Sequence, residues 1–314
     1  MRIGARGSKL SLAQAGQMQR RIAAALGADP QDAAAVEALA PLTVIVTTGD
    51  RVQDRRLLEI GGKGMFTKEI EEALLDGRID CAIHSLKDMP ALSPDGLCIA
   101  AIPEREDPRD AFLSLKAERV EDLAHGAVLG TASLRRQAQM LHRRPDLDVR
   151  MLRGNVDTRL AKLAAGDADA ILLAVAGLKR LGLAHLPQSL IDPVECPPAP
   201  GQGALAIQTR IGDCDAAWVQ AIRHGPSTIA VAAERGALTA LEGSCKTAIG
   251  AHAWFEGARL LLIVEALSAD GQVRFRHSGE ADLTELADPE ASARDLGLSL
   301  GLAVKAEAGD AIAL

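Results

Sequence analysis

The sequence predicts an α/β protein: two doubly wound α/β domains followed by a small C-terminal α+β domain. Strand-like and helix-like segments alternate twice along the first two thirds of the chain, as in parallel βα folds. The last quarter instead shows consecutive strand patterns with a hairpin signal. The length of 314 residues also exceeds what one core usually serves.

In the first domain, residues 11–26 repeat apolar side chains at helical period, and Ser8 or Ser11 is the expected N-cap. Residues 41–48, PLTVIVTT, are β-branched and predict a buried strand. The charged, glycine-rich stretch around 48–64 predicts a mobile loop that covers a site. A helix ending at Gly77 and a strand over 78–85 follow.

In the second domain, the turn-prone segment EREDPRD after Pro103 marks the crossing from the first. Three predicted strands then alternate with three predicted helices. They are, in order, strand 126–130, helix 133–143, strand 148–152, helix 155–166, strand 169–175 and helix 176–183. This order predicts a parallel sheet, with ligands bound outside the carboxyl ends of its strands.

The proline- and glycine-rich segment CPPAPGQGALAIQ predicts a linker and a strand that return the chain to the first domain. Three strands over 248–278 then form an antiparallel sheet, with a hairpin turn at Asp270-Gly271 and a helix near 288–306. The predicted domains are residues 1–103 plus 199–222, residues 104–198, and residues 223–314.

Composition excludes several classes of protein. A net charge of −7 and an aromatic content of 2%, with no tyrosine, argue against a general nucleic-acid binder. Five cysteines without a CxxC motif indicate neither a disulfide framework nor a zinc site, and they favour reduced thiols in a cytosol. No apolar run has the length of a membrane span, and the N-terminus lacks the apolar core of a signal peptide. We therefore expect neither a metal nor a membrane partner.

A basic segment over residues 131–162 predicts an anion site. It holds eight arginine or lysine residues against three aspartates, an excess of five positive charges. Arg135 and Arg136 follow a predicted strand, and Arg153 follows the next one. Helix N-termini and arginine forks both bind carboxylates and phosphates. For Arg143 and Arg144 a solvated helix face is the expected role.

Polar residues also follow two strands of the first domain. Arg6 and Ser8 come after the opening strand, and HSLKDMP places Lys87 and Asp88 after a later one. A carboxylate in a site otherwise rich in cations could balance a cationic reaction centre. For His84 we expect a core or capping role. Nucleotide-binding glycine motifs and the common hydrolase motifs do not occur in the sequence.

Cys245 lies in LEGSCKTAIG, a connection between a predicted helix and a predicted strand. A structural cysteine prefers an apolar element, whereas this thiol stands in a glycine-containing turn beside Lys246, a cation that favours the reactive thiolate. On the residues alone, an inert loop cysteine remains the simpler alternative.

Taken together, these motifs resemble the porphobilinogen deaminase (hydroxymethylbilane synthase) family over nearly all of residues 1–250. The motifs are RIGARGSKLSLAQ, GGKGMFTKEIE, HSLKDMP, TASLRRQ, LRGNVDTRL, AGLKRLGL, PAPGQGALAIQ and LEGSCKTAIG. The resemblance implies a cytoplasmic, monomeric transferase of tetrapyrrole synthesis. Such an enzyme condenses four porphobilinogen molecules head to tail, releases ammonia at each step, and hydrolyses the product to hydroxymethylbilane, with a hand-off to the next pathway enzyme. The family's fold resembles that of periplasmic binding proteins.

The resemblance also implies site residues and a cofactor. The cofactor is dipyrromethane, attached through a thioether at the position of Cys245. Catalytic roles fall on Asp88, Arg153 and Arg159. Cofactor binding falls on Ser85, Lys87, Asp88, Thr131, Ser133, Arg135, Arg136 and Gln202. Substrate binding falls on Arg6, Ser8, Gln14, Phe66, Arg153, Arg159 and Arg180. Cys81, Cys98, Cys196 and Cys214 match no family role, so we expect packing roles for them.

Two alternatives remain open at this point. A non-catalytic, two-domain anion-binding protein of the periplasmic type would bind its ligand reversibly and would not need Cys245. A nucleic-acid binder would use the arginines on phosphates and show a steep salt dependence, which the acidic total charge disfavours.

Overall fold

The computed structural model describes residues 1–51, 66–242, 247–284 and 286–312, without the side chains of 50, 51 and 310. Its elements are β1 (Ile3–Arg6), α1 (Lys9–Ala25), α2 (Ala33–Leu39), β2 (Leu42–Ile45), α3 (Thr48–Arg51), α4 (Lys68–Leu75), β3 (Cys81–Ser85), β4 (Leu97–Ala101), β5 (Asp110–Ser114), β6 (Val128–Gly130), α5 (Leu134–Arg143), β7 (Asp148–Arg150), α6 (Val156–Ala165), β8 (Ala170–Ala174), α7 (Val175–Arg180), β9 (Ser189–Leu190), β10 (Leu205–Arg210), α8 (Ala217–Ile222), α9 (Gly225–Ala240), β11 (Ala248–Glu256), β12 (Arg259–Leu267), β13 (Arg274–Asp282) and α10 (Pro289–Ala308).

The chain divides into two compact units. Unit 1 comprises Met1–Asp54, Gly62–Glu106 and Ala204–Thr228, and unit 2 comprises Arg55–Gly61, Asp107–Gly203 and Ile229–Leu314. The strands predicted for the second and third domains both lie in unit 2. The division into three domains therefore stays a prediction, whereas the α/β class with a C-terminal three-stranded antiparallel sheet is confirmed.

Unit 1 is built on a five-stranded sheet in the order β2-β1-β3-β10-β4. Strands β1, β2 and β3 are parallel, but β10 is antiparallel to both β3 and β4. The expected parallel pairing is confirmed for β1, β2 and β3, and β10 is the strand that departs from it. Strand β10 follows the chain's long excursion through residues 107–203 rather than a βα crossover, so it is free to enter in the opposite direction.

Strand β2 also departs from its prediction as a buried strand. It lies at the edge of the sheet, and Val44 is 53% exposed. A run of β-branched residues indicates a strand, but its place in the sheet decides how much of it is buried. Helix α1 forms as expected: the hydroxyl of Ser8 caps it by accepting from the backbone N–H of Ser11.

Unit 2 contains two sheets. The first has the order β7-β6-β8-β5-β9, in which β6 is parallel to β7 and β8, while β5 is antiparallel to β8 and β9. The second is the antiparallel sheet β11-β12-β13. Helix α10 packs against β12 and β13. The hairpin predicted at Asp270 is confirmed, and its carboxylate accepts from the backbone N–H of Gln272.

Short elements account for most of what the sequence patterns did not predict. They are α2, β4, β5, β9 and α8. Strand β5 begins at Asp110, inside the charged segment for which we predicted only a crossing between domains. The pattern missed this strand because a charged residue indicates an exposed position, whereas Asp110 is buried. No helix in the described ranges combines the length and hydropathy needed to cross a membrane.

Helices α9 and α10 approach each other closely at glycine. A Cβ built on Gly297 would overlap the backbone carbonyl of Ala233, and one on Gly301 would press on Ala237. This crossing covers the core formed with the three-stranded sheet, which includes Ala237, Leu262 and Val304. Glycine is required because the backbones themselves are in contact.

We expect Gly297→Ala to lower the free energy of unfolding by about 1–3 kcal/mol, the usual cost of overpacking. Chemical denaturation followed by circular dichroism measures it. Gly225→Ala is the matched control, since a Cβ at Gly225 meets nothing within 4 Å. Equal stability of the two variants would contradict the close approach of the helices.

Candidate functional site

Two of the site residues predicted in unit 1 lie at the ends of adjacent parallel strands. Arg6 ends β1 and Ser85 ends β3, and the strands pair through Ile3 with Cys81 and Gly4 with Ala82. The carboxyl ends of neighbouring parallel strands meet at one edge of a sheet. Arg6 and Ser85 therefore share the edge at which ligands bind in this class of fold.

Strand β3 continues into a single 3₁₀ turn, Leu86–Asp88. Leu86 is buried in this turn, while the side chains of Lys87 and Asp88 are exposed. The N–H of Met89 bonds back to the carbonyl of Leu86 and closes the turn. The turn thus presents a lysine and a carboxylate to solvent from a fixed base.

Gln14 and Ser85 are held together by two hydrogen bonds. Gln14 Nε2 donates to Ser85 Oγ at 2.9 Å, and Ser85 Oγ approaches Gln14 Oε1 at 3.1 Å. Ser8 is engaged as the helix cap described above. Arg6 stacks on Phe66, whose ring centre is 4.1 Å from the guanidinium carbon. This cation–π contact orients the Arg6 guanidinium.

Behind this edge, a buried chain of hydrogen bonds links three elements of unit 1. Gln208 of β10 donates from Nε2 to Glu71 of α4 at 3.3 Å, and its Oε1 lies 3.0 Å from Nε2 of His84. Because an amide oxygen only accepts, His84 Nε2 carries the proton. Burial lowers the pKa of His84 to about 4. His84 is therefore a neutral core histidine, as expected from the sequence.

In unit 2, Arg135 and Arg136 open helix α5 and are almost wholly buried, at 4% and 5% exposure. Both bind one carboxylate: Arg135 Nη2 donates to Asp110 at 2.8 Å and Arg136 Nη2 at 2.7 Å. Burial by itself would raise the pKa of Asp110, but the two guanidinium charges hold it well below its usual range.

Gln202 joins the same carboxylate. Its Nε2 donates to Asp110 Oδ1 at 2.8 Å and to the carbonyl of Pro108 at 2.7 Å. Gln202 follows Gly201, whose N–H donates to the buried carboxylate of Glu234 at 2.7 Å. The structure thus brings three of the predicted cofactor-binding residues, Arg135, Arg136 and Gln202, to one acceptor.

Thr131 and Ser133 shape the turn before α5. Thr131 Oγ1 accepts from the N–H of Ser133, and Ser133 Oγ caps the helix by accepting from the N–H of Arg136. Both hydroxyls are used locally. Their predicted role toward the cofactor stays a prediction.

The turn before α6 carries Arg153 and Arg159. Arg159 Nε donates to the carbonyl of Gly154 at 2.9 Å, and Asn155 caps the helix through the N–H of Thr158. Gly154 has φ +125°, a conformation open to glycine, and a Cβ there would press on Thr158. Arg153 Nη1 is buried and has no hydrogen-bond partner among the described residues.

Arg180, at the end of α7, donates from Nη2 to the carbonyl of Gly203 at 2.8 Å. It therefore lies beside the loop that carries Gln202. Its predicted role in substrate binding, like the roles of Arg153 and Arg159, stays a prediction.

Sequence reasoning missed several buried acids, of which two belong to the hydrogen-bond network around Arg135. Asp110 stood in a segment assigned to a domain crossing, and Glu265 lies within β12. Glu265 accepts from Gln139 Nε2 at 2.7 Å, and burial raises its pKa. An aspartate directly before the apolar run AFL was the available signal for Asp110, because a charge there needs a buried partner.

Some predictions fall outside the described residues. Cys245 and Lys246 lie there, as does most of the predicted lid loop, residues 52–64.

The expectation of reduced thiols throughout is wrong for one pair, since Cys98 and Cys214 form a disulfide. Cys98 pairs with Thr209 across β4 and β10, and Cys214 returns to Thr209 after a short turn, so strand pairing brings the two together. No metal-binding group of His, Cys, Asp or Glu occurs within the described ranges.

The arginines fit a cofactor with several carboxylates. The Nε atoms of Arg135 and Arg136 and Nη1 of Arg153 are buried and lack hydrogen-bond partners within the described part of the chain. Buried N–H donors are normally satisfied, so these three nitrogens are able to take an acceptor from a bound ligand. The acetate and propionate groups of a dipyrromethane are acceptors of this kind.

Family comparisons cover almost the whole chain. Residues 1–217 match the family model described as porphobilinogen deaminase, dipyromethane cofactor binding domain. Residues 228–306 match porphobilinogen deaminase, C-terminal domain. The porphobilinogen deaminase of Phenylobacterium zucineum is 76% identical over all of this chain and 98% of its own length. That of Caulobacter sp. strain K31 is 68% identical with the same coverage.

Solved structures of periplasmic type are distant neighbours. A periplasmic substrate-binding protein of an ABC transporter from Coxiella burnetii has a TM-score of 0.43 and 14% identity, covering 75% of this chain and 96% of its own. The methionine-binding protein MetQ has a TM-score of 0.42 and 14% identity, covering 71% and 89%.

The low pKa of His84 predicts an acid-sensitive fold. The unfolded chain protonates His84 near pH 6.5, but the folded protein does so only near pH 4. The unfolded state thus binds more protons between these values, so stability is complete above about pH 6.5 and falls as the pH drops toward 4. The loss from this one group is about 3 kcal/mol.

Unfolding free energies of the wild type and His84→Gln, measured from pH 4 to 7.5, check this. As the pH falls, the wild type should lose more of its unfolding free energy than His84→Gln does. Proton NMR of the His84 ring should show no protonation above about pH 5. Titration of that ring near neutrality would contradict the buried neutral state.

Proposed function

Since the chain belongs to the porphobilinogen deaminase family, it is a transferase that builds hydroxymethylbilane from four porphobilinogen molecules, and we propose how its own residues divide that work. Its cofactor is a dipyrromethane bound covalently to a cysteine. The alternative of a non-catalytic anion-binding protein is not favoured, because the family match extends over both the cofactor-binding and the C-terminal parts.

Asp88 is the proposed catalytic acid–base and electrostatic group, and its exposure on a fixed turn is the observation that supports this most directly. Each porphobilinogen loses its aminomethyl nitrogen as ammonia: the C–N bond breaks, and the nitrogen leaves with its electron pair after protonation. The pyrrole that remains is cationic. A carboxylate beside it lowers the energy of that charge and exchanges protons with the reacting atoms.

Lys87 and Ser85 are proposed to hold the cofactor beside Asp88, and Arg6 is proposed to bind the substrate there. Lys87 neighbours Asp88 on the exposed turn, Ser85 is held by Gln14, and Arg6 is braced by Phe66. Porphobilinogen carries an acetate and a propionate, so cations and hydroxyls at this edge bind both of its ends. Gln14 and Phe66 then act by fixing Ser85 and Arg6.

Arg135, Arg136 and Gln202, together with Thr131 and Ser133, are proposed to hold the dipyrromethane by its carboxylates. The cofactor, when bound, supplies the pyrrole carbon to which the first substrate is added. Arg153, Arg159 and Arg180 are proposed to bind the carboxylates of the arriving substrate, and Arg153 and Arg159 are also proposed to assist the chemical step. The unpaired buried donors on Arg135, Arg136 and Arg153 support this division.

Cys245 is the proposed attachment point, through a thioether. A cytoplasmic location, a monomeric state and a hand-off of the product to the next enzyme also stay proposals.

We expect the purified protein to exceed its sequence mass by two linked pyrrole units, because the thioether survives denaturation. Intact-mass spectrometry under denaturing conditions measures the excess. Cys245→Ser should show the bare mass, whereas Cys196→Ser, which changes a free cysteine elsewhere in the chain, should keep the excess. An excess that persists in Cys245→Ser would assign the attachment to another residue.

Asp88→Asn should lower kcat by about 10²–10⁴-fold, the usual contribution of a positioned acid–base group, with little change in thermal stability because Asp88 is exposed. Ammonia release and tetrapyrrole formation are the measurements. Asp95→Asn is the matched control, since Asp95 is also an exposed aspartate of unit 1. Wild-type turnover by Asp88→Asn would refute the role of Asp88.

A further inference from the structure

Three residues proposed to hold the cofactor share one hydrogen-bond acceptor that no motif singled out. Asp110 Oδ2 accepts from Arg135 at 2.8 Å. Its Oδ1 accepts from Arg136 at 2.7 Å and from Gln202 at 2.8 Å. We infer that Asp110 is the positioning residue of the cofactor site, fixing both arginines and the glutamine before the cofactor binds. This inference rests on the proposed function of those three residues.

The convergence of Arg135 and Arg136 needs an explanation, because they are consecutive on helix α5. Neighbouring residues of an α-helix point about 100° apart. Their long side chains nevertheless meet at one carboxylate on strand β5, and none of the three side chains is more than 6% exposed. A single buried anion between them accounts for this geometry.

The second terminal nitrogen of each arginine, Nη1, is fixed as well. Arg135 Nη1 donates to Gln139 at 2.8 Å and to the carbonyl of Pro197 at 3.2 Å. Arg136 Nη1 donates to the carbonyl of Leu172 at 2.8 Å. Each guanidinium is therefore held at two of its nitrogens. The cost in side-chain entropy of ordering these residues is met on folding rather than on binding.

The charge of the cluster favours an anionic ligand. Two guanidinium groups face one carboxylate, which leaves one positive charge in excess. The Nε–H groups of both arginines have no acceptor in the described part of the chain. A further acid in the network, Glu265, accepts from Gln139 and pairs with Arg276 at 3.7 Å, and burial raises its pKa. Asp110 thus neutralises one of the two arginine charges, so Arg135 and Arg136 can be buried. The positive charge that remains attracts a carboxylate.

Asp110 acts through its neighbours rather than on the reacting atoms. Its side chain is 4% exposed, and its oxygens are taken by Arg135, Arg136 and Gln202. The effect of its substitution should therefore appear in the assembly of the cofactor before it appears in the chemical step.

The test uses apo-protein from cells that make no porphobilinogen. Purified wild type, Asp110→Asn and Asp146→Asn are mixed with porphobilinogen, and intact mass follows cofactor loading with time. We expect Asp110→Asn to load about 10- to 100-fold more slowly, as when other positioning groups are lost. Asp146→Asn should load like the wild type, because Asp146 bonds Arg144 and Gly126 and no predicted site residue.

The outcomes separate the two proposals. If the wild type does not load, the proposed function fails. If the wild type loads and Asp110→Asn loads at the same rate, only the inference on Asp110 is overturned. For the loaded fraction of the variant, KM for porphobilinogen should rise more than kcat falls; a fall in kcat alone would equally overturn a positioning role.

Asp110→Glu serves if Asp110→Asn does not fold. It keeps the charge and moves the carboxylate by one methylene, so slow loading is again expected, and wild-type loading would overturn the inference.

A measurement on the apo wild type needs no stable Asp110 variant. Nitrogen-15 spectra should show guanidinium N–H signals of Arg135 and Arg136 in slow exchange already before loading, assigned with Arg135→Lys and Arg136→Lys. Slow exchange only after loading would overturn it.

Discussion

The carboxylate of Asp110 is the interaction on which the arrangement of unit 2 depends. It lies at the start of β5, an interior strand of its sheet, and it faces two guanidinium groups on α5. Burying a charge is costly unless it is paired and hydrogen-bonded, and breaking such a pair by removing one member costs about 3–5 kcal/mol. The sheet and the helix are thus fixed to each other by a cluster that is stable only when complete.

Helix α5 extends this connection to the antiparallel sheet. Gln139 bonds both the carbonyl of Pro197 and the carboxylate of Glu265 on β12. Farther along the helix, His142 Nδ1 lies 2.8 Å from the carbonyl of Gly271 in the hairpin. These contacts explain why the two sheets of unit 2 form one compact body. Strand β11, which begins shortly after Cys245 in the sequence, belongs to the same unit as Arg135 and Arg136.

The two units contribute different chemistry. Unit 1 presents an exposed carboxylate and lysine on a short turn, supported by a neutral histidine and an amide chain behind it. Unit 2 holds arginines, most of which donate to protein acceptors. In the described part of the chain, Arg135, Arg136 and Arg153 each have one buried nitrogen without an acceptor. An exposed carboxylate is accessible to the reacting atoms of a substrate, whereas buried, prearranged cations bind carboxylates with little loss of side-chain entropy.

The sequence by itself determined the α/β class, the principal helices, the cap of α1, the hairpin at Asp270 and the family, because these depend on local periodicity, capping side chains and short motifs. It could also place Arg6, Ser85, Lys87 and Asp88 at strand ends, since strand ends are local features. The tertiary structure alone decided that β2 is an edge strand and that β10 is antiparallel, because sheet order is set by long-range pairing. It alone paired Cys98 with Cys214 and brought Arg135, Arg136 and Gln202 to Asp110. Those partners lie 25 to 116 residues apart along the chain, and only burial in a shared core brings them together.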